Sequence, residues 1–242
     1  MKLLLIRHGD PDYLNDTLTE RGKLEAELLA NRIAPMDVTA FYVSTLGRAQ
    51  DTIRPTLERA GRTALSCEWL REFWPRIRRP DAEGRETIAW DWLPNDWLQD
   101  DRLLSESHWF EQEVFAAAHV RDAYDEVTTS FDRILAEHGY VRDGRVYRVK
   151  RPNTDTLAFF CHLGAACVIL SHLLNVSPMV LWHGTAMAPT SVTTVYSEER
   201  RKGVASFRAA AIGDISHLYS AGLEPSFSAR FCEVYGDGTR ID

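Results

Sequence analysis

The chain has 242 residues, 45% hydrophobic and 26% charged, with a formal net charge of −7. That length buries a full core and fits one α/β domain over residues 1–242 with an insertion at about 74–107. The acidic balance argues against a general nucleic-acid-binding surface, and no stretch reaches the roughly 20 apolar residues of a membrane helix.

Leu3 to Ile6 are apolar in sequence, as in a strand buried on both faces of a parallel sheet. Arg7, His8 and Gly9 follow at its C-terminal end, the edge where open α/β sheets bind ligands. Arginine offers a planar fork of donors to phosphate or carboxylate. A neutral histidine can serve as nucleophile or base. A strand end with a polar flank is the plain alternative. Asp10 to Asp16 is a loop of turn formers. Thr19 suits the N-cap of a helix that shows Leu24, Leu28 and Ala30 to Ile33 on its apolar face and stops at Pro35. Ala40 to Ser44 is a second buried strand. Thr45, Leu46 and Gly47 turn into a helix that carries Arg48, with Pro55 expected to kink it or reset its first turn. Arg62 to Trp69 reads as a third strand leading into Leu70, Arg71 and Glu72.

From Trp74 to about Ser107 the pattern changes, with Trp74, Trp90, Trp92 and Trp97 among prolines and mixed charges. So many aromatics imply an ordered insertion, with the tryptophans packing it onto the main body. A long helix is expected from Trp109 to Glu137, buried along Val120, Tyr124, Val127, Phe131, Ile134 and Leu135 and stopped at Gly139. Tyr140 to Lys150 reads as a hairpin turning at Asp143-Gly144. Thr156 to Cys161 is another apolar strand, with His162 at its exit, then Gly164 and a helix from Ala165 to Leu174. Met179 to His183 is a short helix, Ser191 to Ser197 and Val204 to Ile212 are closing strands, and the tail from Ser216 carries no assignment.

Strands alternating with helices predict an α/β fold, a three-layer α/β/α sandwich with a mostly parallel central sheet and an inserted segment over the active-site edge. Parallel strand exits share one rim, so Arg7, His8, Glu72 and His162 converge there, with Arg48 a few residues beyond another exit.

These motifs resemble the histidine phosphatase superfamily, also called phosphoglycerate mutase-like. The hallmark triplet is Arg7-His8-Gly9. The Leu-Thr-Glu-x-Gly stretch is Leu18 to Gly22, and the Ser-x-Leu-x-Arg-Ala-x-x-Thr stretch is Ser44 to Thr52. Leu70-Arg71-Glu72 and the strand-end His162 complete the set. The likeness runs over about 1–72 and 154–215. Asp10 departs from a usually larger polar residue, and Leu163 separates His162 from its glycine. The mutases' Trp-Asn pair after the triplet is absent, as are the extended triplet and the acidic residue beside the second histidine of secreted acid phosphatases. The resemblance implies a metal-independent phosphomonoester hydrolase of a small phosphorylated metabolite, working through a phosphohistidine on His8 without a cofactor. Arg7, Arg48 and His162 would hold the phosphoryl group, His162 adding a donor and a positive charge if protonated, and Glu72 would act as acid and base. A mutase-type phosphotransferase and a non-catalytic phospho-ligand binder are the alternatives.

Plainer roles are also assigned. Arg7 and Arg48 could pair with carboxylates such as Asp51. Arg71, Arg76, Arg78, Arg79 and Arg85 read as a solvated face paired with Asp81, Glu83 and Glu86. The remaining histidines show no metal-ligand spacing. Cys67, Cys161, Cys167 and Cys232 read as free thiols in a reducing compartment. The first apolar run is too short for a signal peptide, so a cytoplasmic location is expected. Oligomeric state is left open, with a homodimer as the named option.

Overall fold

The computed structural model describes residues 1–80, 85–226 and 228. Strand β1 (Lys2–Arg7) leads into a two-stranded ribbon, β2 (Pro11–Asp12) and β3 (Thr17–Leu18). Helix α1 (Glu20–Ile33) starts on Thr19, whose hydroxyl accepts from the Gly22 amide at 3.0 Å, so the expected N-cap holds. Strand β4 (Ala40–Ser44), helix α2 (Gly47–Ala60) and strand β5 (Leu65–Cys67) follow. The insertion contains a hairpin of β6 (Arg76–Arg78) and β7 (Glu86–Ile88) and a short helix α3 (Pro94–Trp97). Helices α4 (Glu113–Ala117) and α5 (Val120–Glu137) precede the hairpin β8 (Tyr140–Asp143) and β9 (Val146–Val149). Strand β10 (Thr156–Cys161), helices α6 (Leu163–Leu174) and α7 (Pro178–Gly184), strands β11 (Val192–Arg201) and β12 (Val204–Asp214) and helix α8 (Ser216–Tyr219) complete the described chain.

The main sheet runs β5-β4-β10-β1-β11-β12-β9-β8. Its core strands β5, β4, β10 and β1 are parallel, while the closing strands and the β8–β9 hairpin join as an antiparallel wing. Side chains alternate across this sheet. Leu3, Leu5, Leu157 and Phe159 enter one apolar cluster with α5, α6, α7 and the insertion. Leu4, Ile6, Ala158 and Phe160 enter a second, with Leu29 and Ile33 of α1 and Ile53 of α2. This is the expected α/β/α sandwich. The two-sided burial explains why these strands are unbroken apolar runs. Burying each phenylalanine is worth about 2–3 kcal/mol.

Several elements differ from expectation. Leu24 is exposed, and Glu25 occupies the buried face of α1 instead. The third strand shrinks to Leu65–Cys67 before a 3-10 turn over Glu68–Leu70. The long helix is broken at His119, whose φ of +52° no helix accommodates. Pro55 sits inside α2, which runs through it to Ala60. The hairpin turns at Gly144-Arg145, one residue later than expected, with Gly144 at φ +61°. No helix among the described residues is long and apolar enough to cross a membrane.

Candidate active site

The parallel strands end at one rim. Arg7 lies opposite Cys161 in the β1–β10 register, so His8 and His162 emerge side by side. Their ring centroids are 5.0 Å apart, tilted by 54°. The His8 amide donates to the Cys161 carbonyl at 3.0 Å, which pins one strand exit to the other. Gly9 then lets the chain pass the first turn of α1. A Cβ there would stand 2.8 Å from the Gly22 carbonyl oxygen. The Gly9 amide donates to Thr52 Oγ1 at 2.9 Å, which fastens this turn to α2 and to Arg48 at its start.

Both guanidiniums already have protein partners. Arg7 donates through Nη1 to the Met187 carbonyl at 2.7 Å and through Nη2 to the Ser228 carbonyl at 3.2 Å. Arg48 donates through Nη1 to Asp16 Oδ1 at 2.6 Å, and Asp16 Oδ2 accepts from the Gly47 amide at 2.7 Å. Arg7 Nε, Arg48 Nε and His162 Nδ1 are buried without a protein partner. Buried polar groups are normally paired, and leaving one unpaired costs about 1–3 kcal/mol. All three belong to residues that the sequence placed at this rim.

His8 and His162 are 1% and 0% exposed. Burial pushes the His8 pKa well below 6.5, and Arg7 and Arg48 push it further. His8 Nδ1 sits 2.7 Å from the Gly9 carbonyl, which only accepts, so Nδ1 carries the proton and Nε2 presents a lone pair. Burial, then His8 and Arg48, likewise lower His162 well below 6.5. The shift disfavours the charged ring, so the condition attached to His162 in the sequence, that it be protonated, needs an anion beside it. Its Nε2 lies 2.8 Å from Ser44 Oγ, which accepts from the Leu46 amide. His162 Nδ1 has no protein partner.

Glu72 Oε1 accepts from the Phe73 and Gly164 amides, both at 2.9 Å. Burial raises its pKa above 4.5 despite these bonds and the two arginines. Trp90, from the insertion, donates its indole N–H to the Phe73 carbonyl at 3.2 Å and lies against Gly164.

The family model for the histidine phosphatase superfamily (branch 1) matches residues 3–209. The chain belongs to the histidine phosphatase superfamily. A "probable phosphatase" of Schizosaccharomyces pombe is 39% identical over 67 residues, 24% of this chain and 32% of that relative. The match thus spans about a third of that relative's length. Among solved structures, a mycobacterial glucosyl-3-phosphoglycerate phosphatase with VO3 is 18% identical, covering 87% of this chain and 98% of its own, at a TM-score of 0.56. A phosphoserine phosphatase of Entamoeba histolytica with phosphoserine is 18% identical, covering 90% and 98%, at 0.57. The YhfR protein of Bacillus stearothermophilus is 22% identical, covering 89% and 98%, at 0.56. These likenesses concern the fold.

All five residues singled out in the sequence are thus brought to one rim. The superfamily motifs gave no sign of Asp16, which replaces the suggested Asp51 as partner of Arg48; Asp51 pairs with Arg54 and Thr17. Asp10 turns to hydroxyls, accepting from Thr19 at 2.7 Å and Ser228 at 2.5 Å. Arg21 donates to the Glu224 carbonyl. The described end of the chain therefore lies across Arg7. Ser44, Thr52 and Gly164 stood in or beside quoted motifs without a role; their function is visible only once the elements pack.

The arginine run is only partly the paired face expected. Arg71 pairs with Glu68, Arg78 with Glu86 and Arg79 with Asp91, while Asp81 and Glu83 lie outside the described residues. Trp92 and Trp97 are buried as expected, but Trp74 is 67% exposed. His183 locks the insertion to α7 by accepting from the Trp92 amide at 3.0 Å. Among the described residues no group of three His, Cys, Asp or Glu could hold a metal ion. Cys67, Cys161 and Cys167 are free and buried, and Cys232 lies outside the described residues.

Proposed function

We propose that this member of the histidine phosphatase superfamily hydrolyses a small phosphomonoester through a phosphohistidine on His8, without a metal. The observation that carries this reading is the His8 ring. Its Nδ1 is fixed on the Gly9 carbonyl, and the ring lies 5.0 Å from that of His162 at the rim that also holds Arg7 and Arg48.

The chemistry follows from the side chains. Arg7, Arg48 and His162 hold the equatorial oxygens and offset their charge, which is most of what phosphoryl transfer requires. His8 Nε2 forms a bond to phosphorus as the bond to the leaving oxygen breaks. Glu72, whose pKa burial raises, gives its proton to that oxygen, and the alcohol departs. Water then attacks the phosphohistidine, the Glu72 carboxylate takes its proton, the P–N bond breaks, and inorganic phosphate leaves. The arriving dianion also raises the pKa of His162, making that ring a charged donor when it is needed.

We read residues 1–242 as one domain, since Trp92 and Trp97 of the insertion share an apolar cluster with β10 and α5. The free buried thiols support a cytoplasmic setting.

The test is phosphate release from p-nitrophenyl phosphate with chelator present, for the native chain and His8→Ala. The native protein turns over and forms an acid-labile, base-stable phosphoenzyme, and His8→Ala does neither. Retained activity in that variant would remove His8 as nucleophile. Bisphosphoglycerate-dependent exchange of phosphoglycerates would make the protein a mutase.

A further inference from the structure

We propose that the leaving group of the substrate is dipolar, an apolar body bearing one anionic and one cationic group, read by Arg76 and Glu126. This rests on the phosphatase reading above and deepens it.

Glu72 forms part of the wall of a cavity of about 520 Å³ between the insertion and α5. A volume of that size exceeds what a phosphoryl group fills and matches small-molecule sites. Of the five rim residues Glu72 alone lines it, so the cavity is assigned to what is attached to the phosphorus, on the side from which Glu72 delivers its proton. Trp69, Phe73 and Trp74 supply aromatic surface. The large exposed face of Trp74 belongs to a side chain the fold does not bury.

The charges on this wall sort themselves. Arg71 is neutralised by Glu68 at 2.5 Å, and Glu68 also accepts from Thr45 Oγ1 at 2.7 Å. Burial raises the pKa of Glu72, and its Oε1 is already taken by the Phe73 and Gly164 amides. Arg76 and Glu126 remain, and neither side chain has a hydrogen bond or ion pair among the described residues. They are too far apart to form a salt bridge with each other. Arg76 projects from β6 beside buried Ile77, while its neighbour on the same face, Arg78, is occupied by Glu86. One open cation and one open anion, set in aromatic walls next to the acid, complement an alcohol that carries a carboxylate and an ammonium. Phosphorylated amino acids with an apolar side chain are that class.

The experiment uses four phosphate esters of one phenol: phenyl phosphate, O-phosphotyrosine, its carboxamide and its N-acetyl derivative. The native protein prefers O-phosphotyrosine over phenyl phosphate in kcat/KM. Arg76→Met lowers kcat/KM for O-phosphotyrosine by about tenfold, mostly through KM, the size expected for a charged hydrogen bond. It leaves the carboxamide almost unaffected, because the partner charge is already gone. Glu126→Gln does the same for O-phosphotyrosine and spares the N-acetyl derivative. Equal kcat/KM for O-phosphotyrosine and phenyl phosphate, or losses from Arg76→Met that are the same with and without the carboxylate, overturns the proposal while phenyl phosphate turnover upholds the phosphatase. If none of the four esters is hydrolysed, the phosphatase reading fails and this proposal with it.

Discussion

The carboxyl of Glu72 is tied to the amide of Gly164 at 2.9 Å, two residues past His162. The proton donor at one strand exit is thereby located by the helix that begins at another. A methyl group at position 164 would stand 2.7 Å from Glu72 Oε1 and 2.8 Å from Trp90 Nε1. Gly164→Ala is expected to displace the carboxyl and lower kcat for alkyl phosphates toward the level of Glu72→Gln. That level lies roughly 10²–10⁴-fold below the native protein, as for loss of a general acid. Both variants lose far less with p-nitrophenyl phosphate, whose leaving group needs no proton. Steady-state kinetics over leaving groups of graded basicity reads this out. An equal loss for all of them would refute an acid role for Glu72.

The pH profile follows from two opposed displacements. His8 must be neutral, and its pKa lies well below 6.5. Glu72 must be protonated for the first step, and its pKa lies above 4.5. For alkyl phosphates kcat is thus expected to be highest in weak acid and to decline as pH rises through the Glu72 pKa. Glu72→Gln flattens that alkaline limb. The check is kcat from pH 4 to 9 for both proteins.

Asp16 anchors the phosphate-binding arginine, although it lies on a loop remote in sequence from Arg48. Asp16→Asn removes the charge that holds Nη1 and weakens the bond to the Gly47 amide. The expected result is about tenfold weaker vanadate binding with the fold retained, the size of one charged hydrogen bond. Thermal shift shows it: vanadate at 100 times Kd stabilises a protein by about 2.7 kcal/mol, and the same concentration stabilises the variant less.

Acid should destabilise the protein through its buried histidines. His217 is pushed down to about 4 by burial, with Arg32 adding to the effect. Its folded pKa is below the unfolded 6.5, so its contribution is full above 6.5 and is lost as pH falls toward 4. His8 and His162 act in the same direction. Glu72, raised by burial, acts in the opposite one, costing stability as pH rises through its folded value. Urea midpoints are expected to fall from pH 7 to pH 4. His217→Gln lessens the slope by on the order of 1 kcal/mol, after allowance for partial solvent screening.

The Ser228 carbonyl occupies a donor of Arg7, and Ser228 Oγ is tied to Asp10. An incoming anion competes with that neutral oxygen for the guanidinium. Ending the chain after Gly222 is expected to tighten vanadate binding, measured by inhibition of turnover. Weaker binding would show that the tail builds the site instead of competing for it.

The legible part of this molecule is local. Leu3 to His8 and Thr156 to His162 each carry their own account: an apolar run must be buried, and the polar residue at its end must lie on the rim. Thr19 announces α1 by chemistry confined to one turn. Asp16 could not be read, because its value lies in meeting Arg48 and Gly47 across space. Leu24 and Glu25 exchange places because Arg21 and the Asp10 amide, at 3.2 and 2.8 Å, satisfy a buried carboxylate. The break at His119 has no glycine or proline to mark it. Arg76 looked like part of a solvated face and Trp74 like a packing residue, and only the packing of the insertion on α5 sets them apart from their neighbours.

Strands β1 and β10 are hydrogen-bonded neighbours, yet one opens the described chain and the other comes after the insertion and the β8–β9 hairpin. Closing so long a loop is slow relative to forming local helices. The two imidazoles therefore meet late in refolding. A diluted, denatured chain regains its helical circular dichroism before it regains turnover, and the lag measures how long that central pairing takes.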